Sequence, residues 1–259
     1  MPRRARINLW RLVLFSAAVA LWQAISLIHG MPFYISSPSA IGARELQWLA
    51  DGTLLFHTSI TLEETVAGFI LGAAVGIAAG FVIGPQRELG EVLDPFIVAL
   101  YSIPKVALAP LFIVWFGIGI WMKIILAMVT VFFIVFFNTV AGVRNVDPDL
   151  INAVWLMGGS KWVILFKVIV PHALSAALTG VRIAIPYALI GAIVGELIAS
   201  NRGIGYLVSS AASQFDTAGV FAALIVLTIL ATILNAIVDL VDRQTSRWKV
   251  DADLSLRPN

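Results

Sequence analysis

The sequence predicts an all-α integral membrane protein with six transmembrane helices and both termini in the cytoplasm. Of 259 residues, 60% are hydrophobic and 12% charged, with a mean hydropathy of +0.96. Soluble domains carry about 25% charged residues and about 45–50% apolar ones. The apolar residues gather in uncharged runs long enough to cross about 30 Å of hydrocarbon, which takes roughly 20 residues. These runs are continuous instead of alternating with period two, which favours helices over a transmembrane barrel.

The spans are expected at 12–28, 65–84, 95–116, 121–142, 180–200 and 218–240, forming one transmembrane domain over 1–259. The first follows Arg3, Arg4 and Arg6 and contains Ala18-Val19-Ala20, so a cleavable signal peptide competes with it. Its apolar run continues through Trp22 to Ile28, beyond the usual signal core of about 7–15 residues, which favours a retained helix. Glu63 and Glu64 are expected just outside the second span. Pro104, Lys105 and Pro110 make the third the least regular. Trp10, Tyr34, Trp121, Tyr206 and Trp248 near span ends fit interfacial anchors.

Cations set the orientation. With the N-terminus inside, Arg3, Arg4, Arg6, Arg11, Arg87, Arg144, Lys161, Lys167, Arg182, Arg243, Arg247, Lys249 and Arg257 are cytoplasmic. Only Arg44 and Arg202 fall in outside loops, and Lys105 and Lys123 belong to or border spans. This bias satisfies the positive-inside rule and accounts for a pI of about 9.1 at a net charge of only +2, without nucleic acid as a partner.

Two loops stand out by length. The external one, about 30–64, holds Pro32, Pro38 and a helical-looking stretch. The internal one, 143–179, has clear punctuation: Asp147-Pro148 reads as an N-cap followed by proline at the first helical position, and Gly158-Gly159 as the stop. Along the short helix between them, Leu150, Ile151, Val154 and Trp155 make one apolar face, with Asp149 and Asn152 on the polar side. Ser160 caps a second helix that is expected to end at Pro171. An amphipathic helix outside the membrane needs something to bury its apolar face against; a partner groove is one solution and a lipid surface the other.

Several catalytic chemistries are excluded or unsupported. There is no cysteine, and His29, His57 and His172 form no close-spaced metal cluster. Serines such as Ser102 and Ser200 lack a catalytic partner pattern. No phosphate-binding glycine loop occurs, since Gly158-Gly159-Ser160-Lys161 has the wrong spacing. No nucleotide-hydrolysing site is therefore expected in this chain.

Within the spans, Gly68, Gly72, Gly76, Gly80 and Gly84 recur every four residues. Such a ridge lets a neighbouring helix approach closely; lining a substrate path is the alternative. Lys105 lies about ten residues into the third span, with Ser102 nearby. It reads as a cation lining an anion pathway, or as a snorkelling or structurally paired lysine. Glu196, inside the fifth span, is its candidate partner. Asp239 and Asp242 are expected to face cytoplasmic water beside Arg243.

The internal loop orders Asn152-Ala153-Val154, Gly158 and Val168-Ile169-Val170-Pro171. It resembles the signature loop of ATP-binding-cassette importer permeases, although Asn152, Val154 and Val170 depart from that family's usual glutamate, alanine and leucine. Pro104-Lys105-Val106-Ala107-Leu108-Ala109-Pro110-Leu111, Trp115-Phe116-Gly117-Ile118-Gly119, Leu178-Thr179-Gly180-Val181-Arg182, Gly195-Glu196 and Gly203-Ile204-Gly205-Tyr206 look like the nitrate, sulfonate and taurine type of permease. The resemblance covers about 58–243. It implies an importer-type permease fold in the cell inner membrane, working as a homodimer with two ATPase subunits that bind ATP and Mg, and an external solute-binding protein. It also implies that Leu150, Ile151, Asn152, Ala153, Val154, Trp155 and Gly158 couple to the ATPase, with no cofactor in this chain and a small, anionic solute as cargo. A secondary transporter driven by an ion gradient is the alternative. It is weakened by the lack of an obvious inverted repeat and of enough buried carboxylates. A membrane enzyme is a third reading, weakened by the missing catalytic constellation.

Overall fold

The computed structural model describes residues 3–28 and 31–245. Arg247, Lys249, Arg257, Trp248 and His29 lie outside the described residues, as do the side chains of Arg4, Pro32, Asp239, Asp242 and Arg243. The described residues form helices without a strand. In chain order these are α1 (Arg3–Ser26), the single turn α2 (Met31–Tyr34), α3 (Pro38–Ala50), α4 (Thr53–Ile83), α5 (Arg87–Ser102) and α6 (Lys105–Phe116). There follow α7 (Ile120–Arg144), α8 (Pro148–Leu156), α9 (Lys161–Ile164), α10 (Val170–Ile198), α11 (Ile204–Ser213) and α12 (Thr217–Thr245). Five helical stretches are long and apolar enough to cross a membrane, and the bent pair α5–α6 brings the number to six.

Several expectations need correction. The third span, placed at 95–116, is two helices meeting at 90°. Pro104 has no N–H to continue α5 and holds Ile103 in an extended conformation (φ −65°, ψ 126°). The second span begins at Thr53, so Glu63 and Glu64 lie within α4. The helix expected to stop at Pro171 runs on into α10. A π turn at Leu165–Ile169, in which the Val170 N–H donates to the Leu165 carbonyl, shifts the bonding pattern just ahead of the proline. The segment after the fifth span, read as a loop, contains α11.

The helices group into two compact units. One comprises Met1–Leu62 and Glu196–Thr228. Its apolar cluster is built on Ile204, Leu207 and Ala223, with Trp48, Leu54 and Val226 packed around them. Arg44 of α3 pairs with Asp216 at 2.9 Å, joining the external helix to the turn before α12.

The other unit comprises Glu63–Gly195 and Ile229–Asn259, and α7 is its centre. The glycines of α4, and Gly84 just past its end, lie against one side of α7 in register. Cβ atoms built on Gly68, Gly72, Gly76, Gly80 and Gly84 would stand 2.5–3.1 Å from side-chain atoms of Ala127, Val131, Val135, Thr139 and Val143. Both series climb by four residues, so α4 and α7 run parallel. Gly142 of α7 meets Ala176, while Gly180, Gly191 and Gly195 of α10 meet Asn138, Ala127 and Lys123 in descending order, so α10 runs antiparallel. Without a hydrophobic drive between helices in lipid, this backbone proximity supplies the packing contacts.

Candidate functional site

At one end of α7 the chain turns into α8. Asp147 accepts a hydrogen bond from the Asp149 N–H at 2.9 Å and Pro148 occupies the first turn, which starts the helix as expected. Gly158 ends it with φ +79°, donating to the Trp155 carbonyl at 3.0 Å, while the Gly159 N–H reaches the Val154 carbonyl at 2.9 Å. That pair of bonds is a Schellman motif. The apolar face predicted as one surface divides in two. Ile151 and Val154 pack inward on a cluster of Val143, Val146, Ile164 and Ile169. Leu150, Trp155, Leu156 and Met157 face outward, with Trp155 67% and Leu156 83% exposed. Asn152 and Ala153 are exposed as well.

Lys105 sits at the bend between α5 and α6. Its ammonium donates to the Tyr101 carbonyl and lies 4.2 Å from the Tyr101 ring centroid and 5.4 Å from that of Phe133. Two aromatic faces and a carbonyl thus hold this half-buried cation. The Ser102 hydroxyl, exposed at the same bend, donates to the Val98 carbonyl at 2.7 Å.

Glu196 lies in the other unit and is 1% exposed. Its carboxylate accepts from the Thr61 hydroxyl at 2.7 Å and from the Gly205 N–H at 2.6 Å. Thr61 in turn accepts from the Ile204 N–H at 2.8 Å, and His57 Nδ1 accepts from the Gly203 N–H at 2.9 Å. Three successive backbone donors are therefore captured by three side chains. Gly203 has φ +99°, and a Cβ there would overlap the Glu196 carboxylate. The residues Gly195-Glu196 and Gly203-Ile204-Gly205, read separately in the sequence, are brought together by Glu196 and the loop it holds.

Sequence reasoning missed a buried ion pair. Glu64 is 0% and Lys123 4% exposed, and the two are paired inside the membrane-spanning part of the helices. Each lies four residues before a partner in the glycine register, Glu64 before Gly68 and Lys123 before Ala127. Extending that register by one turn was the available signal. Thr61 and His57 had none, because their partners lie more than 130 residues away in sequence.

Residues 72–247 match the family described as the binding-protein-dependent transport system inner membrane component. The chain belongs to this family. It is 34% identical to the riboflavin transport system permease protein RibX of Chloroflexus aurantiacus over 229 residues, covering 88% of this chain and 85% of the relative. It is 31% identical to the putative aliphatic sulfonates transport permease protein SsuC of Bacillus subtilis over 250 residues, covering 96% and 91%. A chain of the inward-facing MetNI methionine ABC transporter superposes with a TM-score of 0.63 at 20% identity, over 73% of this chain and 94% of that one, so the fold is shared. This permease is thus an inner-membrane subunit of an ATP-binding-cassette importer. It is not itself an enzyme, and the ATPase is a separate subunit.

Proposed function

We propose that the permease works as a homodimer with two ATPase subunits, which bind ATP and Mg, on the cytoplasmic side, and with a solute-binding protein docking outside. The observation that carries this reading is α8: its inner side is packed on the unit's own core while Leu150, Trp155, Leu156 and Met157 remain uncovered beyond the span. An aromatic anchor on a capped helix suits a groove on a protein partner. Closure of the ATPase pair around ATP would move α8 and, through Ile151 and Val154, the ends of α7 and α10.

The cargo we propose is a small anionic solute of the nitrate, sulfonate, taurine or related organic acid kind. Two features support it: the Lys105 cation with Ser102 at a broken span, and the similarity to a permease named for aliphatic sulfonates. Broken spans place backbone groups where a pathway can use them. Glu196 supports the pathway indirectly in this reading, because its carboxylate is engaged with Thr61 and Gly205.

Trp155→Asp tests the docking. The variant is expected to insert normally, since Trp155 is exposed. It should lose about 2 kcal/mol or more of affinity for the ATPase subunit, as for a buried interface aromatic. Normal assembly and ATP-driven uptake by this variant would refute the assignment of α8.

A further inference from the structure

Behind α8 lies a cavity that the docking face does not use. Its volume is about 230 Å³, and it opens between the Gly84–Arg87 turn, the end of α7 and the inner side of α8. Val146 and Ile151 give it apolar walls, and Arg87, Arg144 and Asn152 give it polar ones. Among the described residues neither Arg87 nor Arg144 takes part in an ion pair. Asp147 caps α8 through the Asp149 N–H, and Glu88 shares an adjoining depression with Arg87 but forms no ion pair with it. The Arg144 guanidinium passes over Gly90 where any side chain would collide with it, so the bare backbone at residue 90 leaves room for the arginine in this position.

The depth of the cavity narrows its ligand. Gly84 follows the last residue of one apolar span and Arg144 is the last residue of another, so the cavity lies at headgroup level. The cation bias that orients the chain puts this end inside, where the leaflet carries anionic lipid. Guanidinium forks match phosphate oxygens and stay charged at every physiological pH. The Asn152 amide supplies a further donor, and the apolar walls suit the first methylene groups of the acyl chains. We infer that this cavity binds the phosphate group of an anionic phospholipid from the cytoplasmic leaflet. The lipid would then brace α8 from behind while the ATPase engages its outer side.

The test uses the full chain assembled with its ATPase in nanodiscs of phosphatidylcholine and phosphatidylglycerol, with bound lipid counted by native mass spectrometry. Wild type should retain phosphatidylglycerol about thirtyfold over phosphatidylcholine, the scale expected for two arginines at an anionic surface. Arg87→Gln with Arg144→Gln should abolish the preference. Asn152→Glu should weaken it by replacing a donor amide with a carboxylate in the cavity. Equal retention of both lipids by wild type, or an unchanged preference in the double variant, overturns the inference. So does binding of inorganic phosphate with phosphatidylglycerol at background, which would make the ligand a free anion. Loss of ATPase assembly in the double variant with lipid retention unchanged would also overturn it, assigning the arginines to acidic groups of the partner.

Discussion

Glu64 pairs with Lys123 one helical turn before Gly68 meets Ala127, so the ion pair is the first rung of the register that the glycines of α4 make with α7. Placed among glycine-spaced backbones, the pair has no room to turn toward water: Gly195 of α10 closes on the Lys123 stem, where a Cβ would stand 2.8 Å from Cγ. Breaking one partner of a buried pair costs about 3–5 kcal/mol because the other charge is left in low dielectric. Glu64→Gln and Lys123→Met should each lower the thermal stability of the purified protein, and the double variant should recover much of the loss. Additive losses in that double-mutant cycle would show that the two charges do not act as a pair.

The glycine register makes a second prediction. Gly72→Ala would drive a methyl group to 2.6 Å from the Met128 carbonyl oxygen and 2.7 Å from Val131 Cβ, both on a helix with little room to retreat. A cost of about 1–3 kcal/mol, the usual scale of overpacking, is expected in the melting of the protein. Gly42→Ala meets nothing within 4 Å and should be neutral or slightly stabilising. Equal melting temperatures for the two variants would remove close packing as the role of the stripe.

Membrane character, the number of spans and the boundaries of α8 were legible because each rests on local chemistry: uncharged runs, an Asp-Pro start and a Gly-Gly stop. The 90° bend was half legible. Pro104 marked an irregularity, but a proline constrains only its own φ and the residue before it, and the angle between α5 and α6 is set by packing. The division of α8 into an inward and an outward apolar side was hidden, since periodicity shows that a face is apolar and not how many neighbours share it. Glu64 was misplaced because two adjacent glutamates resemble the polar edge of a span, whereas Glu63 alone is exposed and Glu64 turns inward. The loop held by Glu196 depends on contacts across 135 to 146 residues of sequence, which no local pattern encodes.

That loop can be tested through Thr61, whose hydroxyl gives its proton to Glu196 and accepts the Ile204 N–H. Thr61→Val keeps the shape and removes both bonds, leaving a buried carboxylate oxygen and a buried backbone donor with one partner fewer. A loss of about 2 kcal/mol or more is expected, together with faster hydrogen exchange of the amides of residues 203–205. Thr61→Ser retains the hydroxyl and should behave close to wild type. Unchanged protection of those amides in Thr61→Val would mean that the loop is held by other contacts.

The last prediction concerns the pathway. Lys105 is held by the Tyr101 carbonyl and by aromatic faces, so its charge is accommodated without a carboxylate among the partners described for it. Such a cation is stabilised where it sits yet keeps an electrostatic field available to an arriving anion. Lys105→Ala should therefore lower ATP-driven uptake of an anionic substrate about tenfold or more, a loss of about 1.4 kcal/mol in the barrier, while ATPase assembly stays intact. Lys105→Arg should keep part of the uptake, since the charge survives and the geometry changes. If Lys105 served only to neutralise Glu196, Lys105→Ala with Glu196→Ala would restore folding and transport. The partners found for each side chain lead us to expect no such recovery. A Lys105→Ala protein that assembles and transports at the wild-type rate would leave the lysine as a solvated side chain at a bend, with no part in the passage of solute.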